Sequence, residues 1–100
     1  MRVRFTPRAQ GDVIEIYDYI AKRSPISAQR VEDAISLACG GLKDFPEIGV
    51  ATDRKNIRRL PLVAYPYTIY YRVNWSSDTV EILRVIRGSR IKNLSKVPAT

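Results

Sequence analysis

Apolar residues at helical spacing predict two helices in the first half of the chain. Positions 9, 13, 16, 17, 20 and 21 are apolar and recur every three or four residues, as on one face of a helix. Thr6 and Ser24 are each followed by proline, and an N-cap residue before proline is a typical helix start. A second apolar stripe runs from Ala28 to Phe45, and Pro46 is predicted to end that helix. Because only a short link separates them, the two helices should form an antiparallel hairpin.

Alternating or β-branched segments predict strands at the start of the chain and through its second half. Residues 2–5 alternate polar and apolar side chains and are predicted to form an edge strand. Residues 67–75, rich in tyrosine, isoleucine and valine, give the strongest strand signal. Residues 57–63 and 80–86 flank it. Pro61 places the first of these at a sheet edge or a bulge, because proline has no amide hydrogen to donate.

The order of these elements predicts the fold class. A strand, a helical hairpin and a three-stranded antiparallel meander make an α+β domain whose helices cover one face of the sheet. We expect an N-terminal strand and an antiparallel helical hairpin packed on a three- to four-stranded antiparallel sheet, with residues 47–55 as a polar loop. One hundred residues are enough for a single domain, 1–100. Residues 91–100 lack an apolar period, and we expect them to be a flexible tail.

Positive charge is concentrated in the second half of the chain. The net charge is +7, but residues 1–53 carry −1 and residues 54–100 carry +8. After Glu81 there is no acid, whereas five basic residues follow. Such an asymmetry indicates a polyanionic partner, for which nucleic acid, a nucleic-acid-bound protein or an acidic polypeptide qualifies. The alternative is a basic surface that only keeps the protein soluble.

Missing residue types exclude several classes of chemistry. The chain has no histidine and one cysteine, Cys39, which excludes a Ser-His-Asp triad, a Cys-His dyad, a Cys-rich zinc site and an internal disulfide. The helix acids, including Asp12, are predicted to lie on solvated faces without a metal, and Cys39 to fill the core. No apolar run reaches the length of a membrane span, and the N-terminus lacks the apolar segment of a secretory signal. We expect a cytoplasmic protein without a metal or cofactor.

Tyrosines crowd one predicted hairpin. Strand alternation places Tyr67, Tyr71 and Trp75 on one face of the sheet, and Tyr70 beside Arg72 on the other. A functional interpretation is a platform that stacks bases, or a phenol that acts as a general acid or base. The alternative is ordinary packing, in which the rings fill a small core and the hydroxyls reach water.

Arginines on or next to the predicted strands are the main candidates for a binding site. They are Arg58, Arg59, Arg72, Arg84, Arg87 and Arg90. Cross-strand neighbours lie about 5 Å apart, so several guanidinium groups could converge on one face and bind phosphate or carboxylate. The alternative is a solvated outer face. Arg84 interrupts an otherwise apolar strand, which suits either a site residue or a structural ion pair with Glu81 or a helix acid.

Short motifs along residues 3–90 occur in a characteristic order. The first half contributes residues 16–21 (IYDYIA), 24–25 (SP), 28–31 (AxRV) and 42–49 (LxxFPxIG). The second half contributes residues 59–60 (RL), 65–73 (YPYxIYYRV) and 80–90 (VxILRVIRGxR). Together they resemble the RelE/ParE superfamily of toxins from bacterial type II toxin–antitoxin systems, and within it the ParE branch. The fold that this resemblance implies is the one predicted above.

The resemblance implies two kinds of activity. ParE-like toxins poison DNA gyrase, are not themselves nucleases, and are neutralised by a cognate antitoxin. RelE-like toxins cleave mRNA on the ribosome, with basic residues of the sheet and often a C-terminal tyrosine or a histidine. Here no tyrosine follows Tyr71, and Arg87 stands where ParE-like sequences often have histidine before Gly-x-Arg. The missing C-terminal phenol favours the ParE-like activity over cleavage.

We therefore expect a gyrase inhibitor that is not an enzyme. The six arginines would form its target-binding surface through charge and shape, with Tyr67 and Tyr70 as aromatic contacts and an acidic amphipathic antitoxin as partner. If the chain is instead a RelE-like mRNA endonuclease, Arg72 and Arg84 would stabilise the transition state and Tyr67 or Tyr70 would act as the base. A third alternative is a non-toxic relative that only binds partners.

Overall fold

The computed structural model describes residues 1–88 of the chain. Its elements are β1 (Arg2–Phe5), α1 (Pro7–Ala21), α2 (Pro25–Gly41), β2 (Val50–Ala51), β3 (Arg58–Pro61), β4 (Tyr67–Asn74) and β5 (Thr79–Arg87). Arg90 and the predicted flexible tail, residues 91–100, lie outside the described residues.

Both helices begin at the predicted residues. The hydroxyl of Thr6 accepts a hydrogen bond from the amide of Ala9 at 3.2 Å, and that of Ser24 accepts one from the amide of Ser27 at 3.1 Å. The end of α2 was predicted at Pro46 but comes at Gly41. Glycine has a low helix propensity, and a Gly-Gly pair at positions 40–41 ends the helix before the proline is reached.

The sheet has five strands in the order β1-β5-β4-β3-β2. The predicted antiparallel meander of β3, β4 and β5 is confirmed, as is the edge position of β1. Two details of the predicted sheet are wrong. β1 pairs with β5 in parallel, and β2 adds a short fifth strand within the predicted loop. The parallel pairing follows from the helical hairpin, which carries the chain from one strand to the far side of the sheet.

The main core lies between the helices and one face of the sheet. Ile35 and Leu42 from the α2 side meet Ile69, Tyr71 and Ile82 of the central strands, all at most 1% exposed. Cys39 is buried in this core as well, and burial raises the pKa of its thiol to about 12. This pKa leaves the thiol protonated at neutral pH, so Cys39 packs as a small apolar residue.

A smaller apolar cluster occupies the opposite face of the sheet. Tyr70 and Leu83 are buried there with Ile57. In the β4–β5 ladder Tyr70 pairs with Arg84 but Tyr71 pairs with Ile82, so Leu83 forms a bulge. The predicted alternation of β4 is confirmed, since Tyr71 faces the helices and Tyr70 the opposite side.

An ion pair joins α1 to the sheet. Arg84 Nε donates to Asp12 Oδ2 at 2.7 Å and Arg84 Nη2 to Asp12 Oδ1 at 3.0 Å, while the amide of Val85 donates to Oδ2 at 2.9 Å. The Asp12 side chain is 7% exposed and that of Arg84 12%. The prediction that Asp12 lies on a solvated face is therefore wrong. This carboxylate fixes the position of α1 along β5 beside the bulge.

A second carboxylate ties three strands together. Glu81 of β5 stands opposite Arg4 of β1 and Arg72 of β4. Arg72 Nε donates to Glu81 Oε1 at 2.8 Å, and Arg4 binds the other carboxylate oxygen. Hydrogen bonds from Arg72 and then Arg4 hold the pKa of Glu81 below its ordinary value of 4.5. The edge strand β1 is thus bound to the sheet by charge as well as by its backbone.

Replacing Asp12 is expected to destabilise the fold strongly. In Asp12→Ala the mostly buried guanidinium of Arg84 loses its counter-charge, and breaking such a pair from one side costs about 3 kcal/mol or more. Urea unfolding followed by circular dichroism measures the loss. The matched control is Asp18→Ala, an exposed acid on the same helix, for which the change should stay within about 0.5 kcal/mol. Equal losses in the two variants would contradict a structural role for the pair.

Glu81 is expected to make stability sensitive to acid. Its pKa is lowered in the folded state, so the stabilisation is fully present above the ordinary pKa of 4.5 and is lost as the pH falls through the lower folded value. Wild type should therefore unfold at a higher urea concentration than Glu81→Gln at pH 7, and the gap should close toward pH 3. Glu15→Gln, on an exposed helix position, serves as the control. A gap independent of pH would contradict the assignment.

Candidate functional site

The candidate arginines that the structure describes do not converge on one face of the sheet. Arg72 and Arg84 are held by the carboxylates of Glu81 and Asp12, with 28% and 12% of their side chains exposed. Arg84 was predicted to be either a site residue or part of an ion pair with Glu81 or a helix acid, and it forms the ion pair with the helix acid Asp12. Both guanidinium groups join structural elements and present little surface to a partner.

Arg58 holds the segment that leads into β2. Its Nη1 donates to the carbonyl of Gly49 at 2.7 Å and to that of Glu47 at 3.2 Å, and its Nη2 lies 3.5 Å from the Glu47 carboxylate. The amide of Gly49 donates to the hydroxyl of Tyr71 at 2.9 Å. A Cβ at position 49 would lie 2.6 Å from that hydroxyl, so only glycine fits here. Arg58 and Tyr71 together fix this segment against the sheet.

Tyr70 is a buried phenol beside Arg59. The β3–β4 register sets the two residues opposite each other. Tyr70 is 0% exposed, and its hydroxyl has no hydrogen-bond partner within the described part of the chain. Burial raises the pKa of Tyr70, and the charge of Arg59 offsets part of that rise. Such a phenol stays protonated at neutral pH and is a poor general base.

Arg87 lies at the rim of an open cleft between α1 and the end of the sheet. It pairs across the β4–β5 ladder with Tyr67. The cleft has a volume of about 410 Å³ and is also lined by Glu15, Ile16 and Tyr19 of α1. Arg87 is exposed, and no hydrogen bond or ion pair within residues 1–88 engages its side chain. Tyr67 is 4% exposed and packs in the core, as the packing alternative predicted.

Arg59 and Arg87 are thus the candidate arginines without a hydrogen bond or ion pair inside the described chain. They lie at different places, Arg59 beside Tyr70 on β3 and Arg87 at the end of β5. Arg90 falls outside the described residues. The arrangement can bind anionic groups by charge, whereas the candidate tyrosines Tyr67 and Tyr70 are too buried to exchange protons with a ligand.

Within residues 1–88 no three acidic or cysteine side chains stand close enough together to hold a metal ion. Among the described helices none combines the length and apolar character needed to cross a bilayer.

Asp12 is the important residue that the sequence analysis misplaced. It lies three residues after Ala9 and four before Ile16, which puts it in the middle of the apolar stripe of α1. A lone carboxylate within such a stripe indicates a buried partner of opposite charge. Arg84 is the matching signal in the sheet, because it is a single charged residue in an otherwise apolar part of β5. Pairing the charge of Asp12 with that of Arg84 predicts the contact from the sequence.

Solved structures of similar shape are toxins and toxin–antitoxin complexes. The chromosomal ParDE system of P. aeruginosa matches with a TM-score of 0.77 at 25% identity, over 89% of this chain and 97% of that one. The RelBE2 complex of Mycobacterium tuberculosis matches with a TM-score of 0.61 at 27% identity, over 86% and 95%. The isolated E. coli RelE toxin, at 15% identity and a TM-score of 0.68 over 95% and 92%, shares the fold.

Sequence comparison agrees with the structural one. The chain is 40% identical to Y4kP of Sinorhizobium fredii over 87% of its own length and 88% of that protein. It is 36% identical to toxin RelE2 of Caulobacter vibrioides over 90% of its length and 98% of that protein. The family model of the ParE toxin of type II toxin–antitoxin systems, parDE, matches residues 3–92. The chain therefore belongs to the ParE toxin family, within the RelE/ParE group of type II toxins.

Proposed function

We propose that this toxin acts by binding DNA gyrase and holding the enzyme on cleaved DNA, and that it does so without catalysing a reaction itself. The observation that carries the proposal is the contrast between Arg87 and the two candidate tyrosines. Arg87 is exposed and unengaged within residues 1–88, whereas Tyr67 and Tyr70 are at most 4% exposed. An exposed cation suits a binding contact, and a buried phenol does not suit proton transfer to a substrate.

The position of Arg87 supports a role in target binding. It ends β5, the strand that Asp12 fixes against α1, so its backbone is held rigidly. It also borders the cleft whose other wall carries Glu15 and the exposed ring of Tyr19. A rigidly mounted guanidinium beside an open, partly apolar cleft is a suitable anchor for a partner protein.

The buried tyrosines argue against a cleavage mechanism. Base catalysis needs a group whose pKa lies near the working pH and that reaches the proton it removes. The pKa values of Tyr70 and Tyr71 are raised by burial, and the hydroxyl of Tyr71 is already engaged by Gly49. The whole chain has no histidine to replace them.

A supercoiling assay with purified gyrase tests the proposal. Wild-type toxin should inhibit supercoiling and accumulate cleaved DNA, and Arg87→Ala and Arg90→Ala should each weaken inhibition by at least about tenfold, as expected for loss of a central charged contact. The matched control is Arg23→Ala, which removes an exposed arginine after α1. Circular dichroism confirms that each variant is folded. Full inhibition by both Arg87→Ala and Arg90→Ala would remove these residues from the mechanism.

RelE-like mRNA cleavage is the second candidate, favoured by the relatives named RelE2 and RelBE2. Mapping transcript ends by primer extension after induction separates it from gyrase binding. We expect intact transcripts together with a DNA-damage response. Cuts at fixed codon positions, with no damage response, would instead establish cleavage. Unimpaired growth despite abundant folded toxin would support the third alternative, a non-toxic binding protein.

We further propose a cognate antitoxin with an acidic, amphipathic binding segment. The structural neighbours include toxin–antitoxin complexes. Exposed apolar side chains lie on and next to the edge strand β2, where Phe45, Ile48 and Val50 are 66%, 63% and 52% exposed. The chain carries a net charge of +7. A partner segment that alternates acidic and apolar residues would neutralise the charge and cover the apolar edge together.

A further inference from the structure

A second cleft lies at the opposite end of the β4–β5 ladder from Arg87. It has a volume of about 220 Å³ and opens between the loop that joins β2 to β3 and the end of β4. Its charged lining residues are Glu47, Arg54, Lys55 and Arg58. Arg58 holds the Glu47 carboxylate at 3.5 Å, so the cationic character of the cleft is set by the loop residues.

The loop that forms one wall is closed by its own hydrogen bonds. The hydroxyl of Thr52 donates to the carbonyl of Ile57 at 2.8 Å and accepts from the amide of Arg54 at 3.2 Å. The amide of Ile57 donates back to the carbonyl of Arg54 at 3.2 Å. Asn56 takes a left-handed conformation with φ of 66°, which completes the turn. Lys55 therefore lies in a turn whose backbone is held by hydrogen bonds.

The opposite wall carries an aromatic ring. Trp75 follows the last residue of β4 and is 63% exposed, although an indole of this size is usually well covered. Val73 lies below it on the same side of the strand and contributes an apolar floor. The cleft is thus lined by an exposed indole together with a lysine and an arginine.

From this geometry we propose that the cleft binds a nucleoside monophosphate unit. The base stacks on Trp75 and the phosphate is held by the exposed Lys55 on the loop. The volume is smaller than the ~300–1,000 Å³ of pockets that enclose a drug-sized ligand, so the phosphate and sugar fill it while the base lies on the indole at its rim. The same chemistry is offered by a free nucleotide and by the end of a single strand. The site does not depend on the proposed gyrase contact.

Intrinsic fluorescence reports on this cleft directly, because Trp75 is the only tryptophan of the chain. Titrating the full-length chain with AMP should quench its emission in a saturable manner. Adenosine should bind at least about tenfold more weakly, since it lacks the charge-assisted contacts. Inorganic phosphate should compete with AMP without quenching. A short oligothymidylate that binds more tightly than AMP identifies a strand as the source of the ligand, and the reverse order identifies a free nucleotide.

Variants separate the cleft from general attraction to a basic protein. Lys55→Ala should weaken AMP binding by about tenfold, whereas Lys22→Ala, which removes an exposed lysine after α1, should change it less than about twofold. By calorimetry, Trp75→Leu should lose at least about fivefold in affinity and Trp75→Phe should retain most of it. Absence of saturable quenching, equal losses in the two lysine variants, or wild-type affinity in Trp75→Leu would each overturn the proposal. None of these readouts involves gyrase.

Discussion

The contact between Asp12 and Arg84 is the constraint on which the arrangement of this toxin depends. It places one carboxylate and one guanidinium in the layer between α1 and the sheet, where an unpaired charge of either sign is costly. The carboxylate of Asp12 also accepts a hydrogen bond from the backbone amide of Val85, beside the bulge. The Asp12 carboxylate therefore fixes both the register of β5 and the position of α1 on the sheet. The cleft that borders Arg87 takes its shape from both elements.

Local signals in the sequence were sufficient for much of the fold. Thr6 and Ser24 predicted where both helices begin, because a capping side chain and the following proline act within one turn. The tyrosine-rich segment predicted β4, because aromatic and β-branched residues favour strands, and the strand is buried on both faces at residues 67–71. β2 has only two residues, too few for any alternation to be read, and its existence depends on pairing with β3. The direction of β1 relative to β5 is likewise a matter of chain path and not of composition.

The sequence indicated which arginines are candidates for a site, but not the contacts that each of them makes. The sequence pattern around an arginine in a strand does not show what its side chain contacts. Arg84 faces a helix acid and Arg87 faces solvent, yet both are single charges in similar strand segments. The distinction depends on which carboxylate comes near in space, and Asp12 is far from Arg84 in sequence. For the tyrosines the sequence left packing and function open, and burial of Tyr67 and Tyr70 favours packing. The excess of basic residues in the second half of the chain therefore does not give the number of exposed cations, because Arg72 and Arg84 are paired with carboxylates.

The parallel pairing of β1 with β5 has a consequence for synthesis of the toxin. Arg2 stands opposite Thr79 and Phe5 opposite Ile82, and Glu81 completes the charge bridge to Arg4. The first strand emerging from the ribosome therefore has no neighbour to pair with until the last described strand has been translated. A partially translated chain lacks β5, so the sheet is incomplete and Arg87 has no strand to hold it. Completion of the sheet therefore waits for the end of translation, and the first strand stays unpaired through most of synthesis.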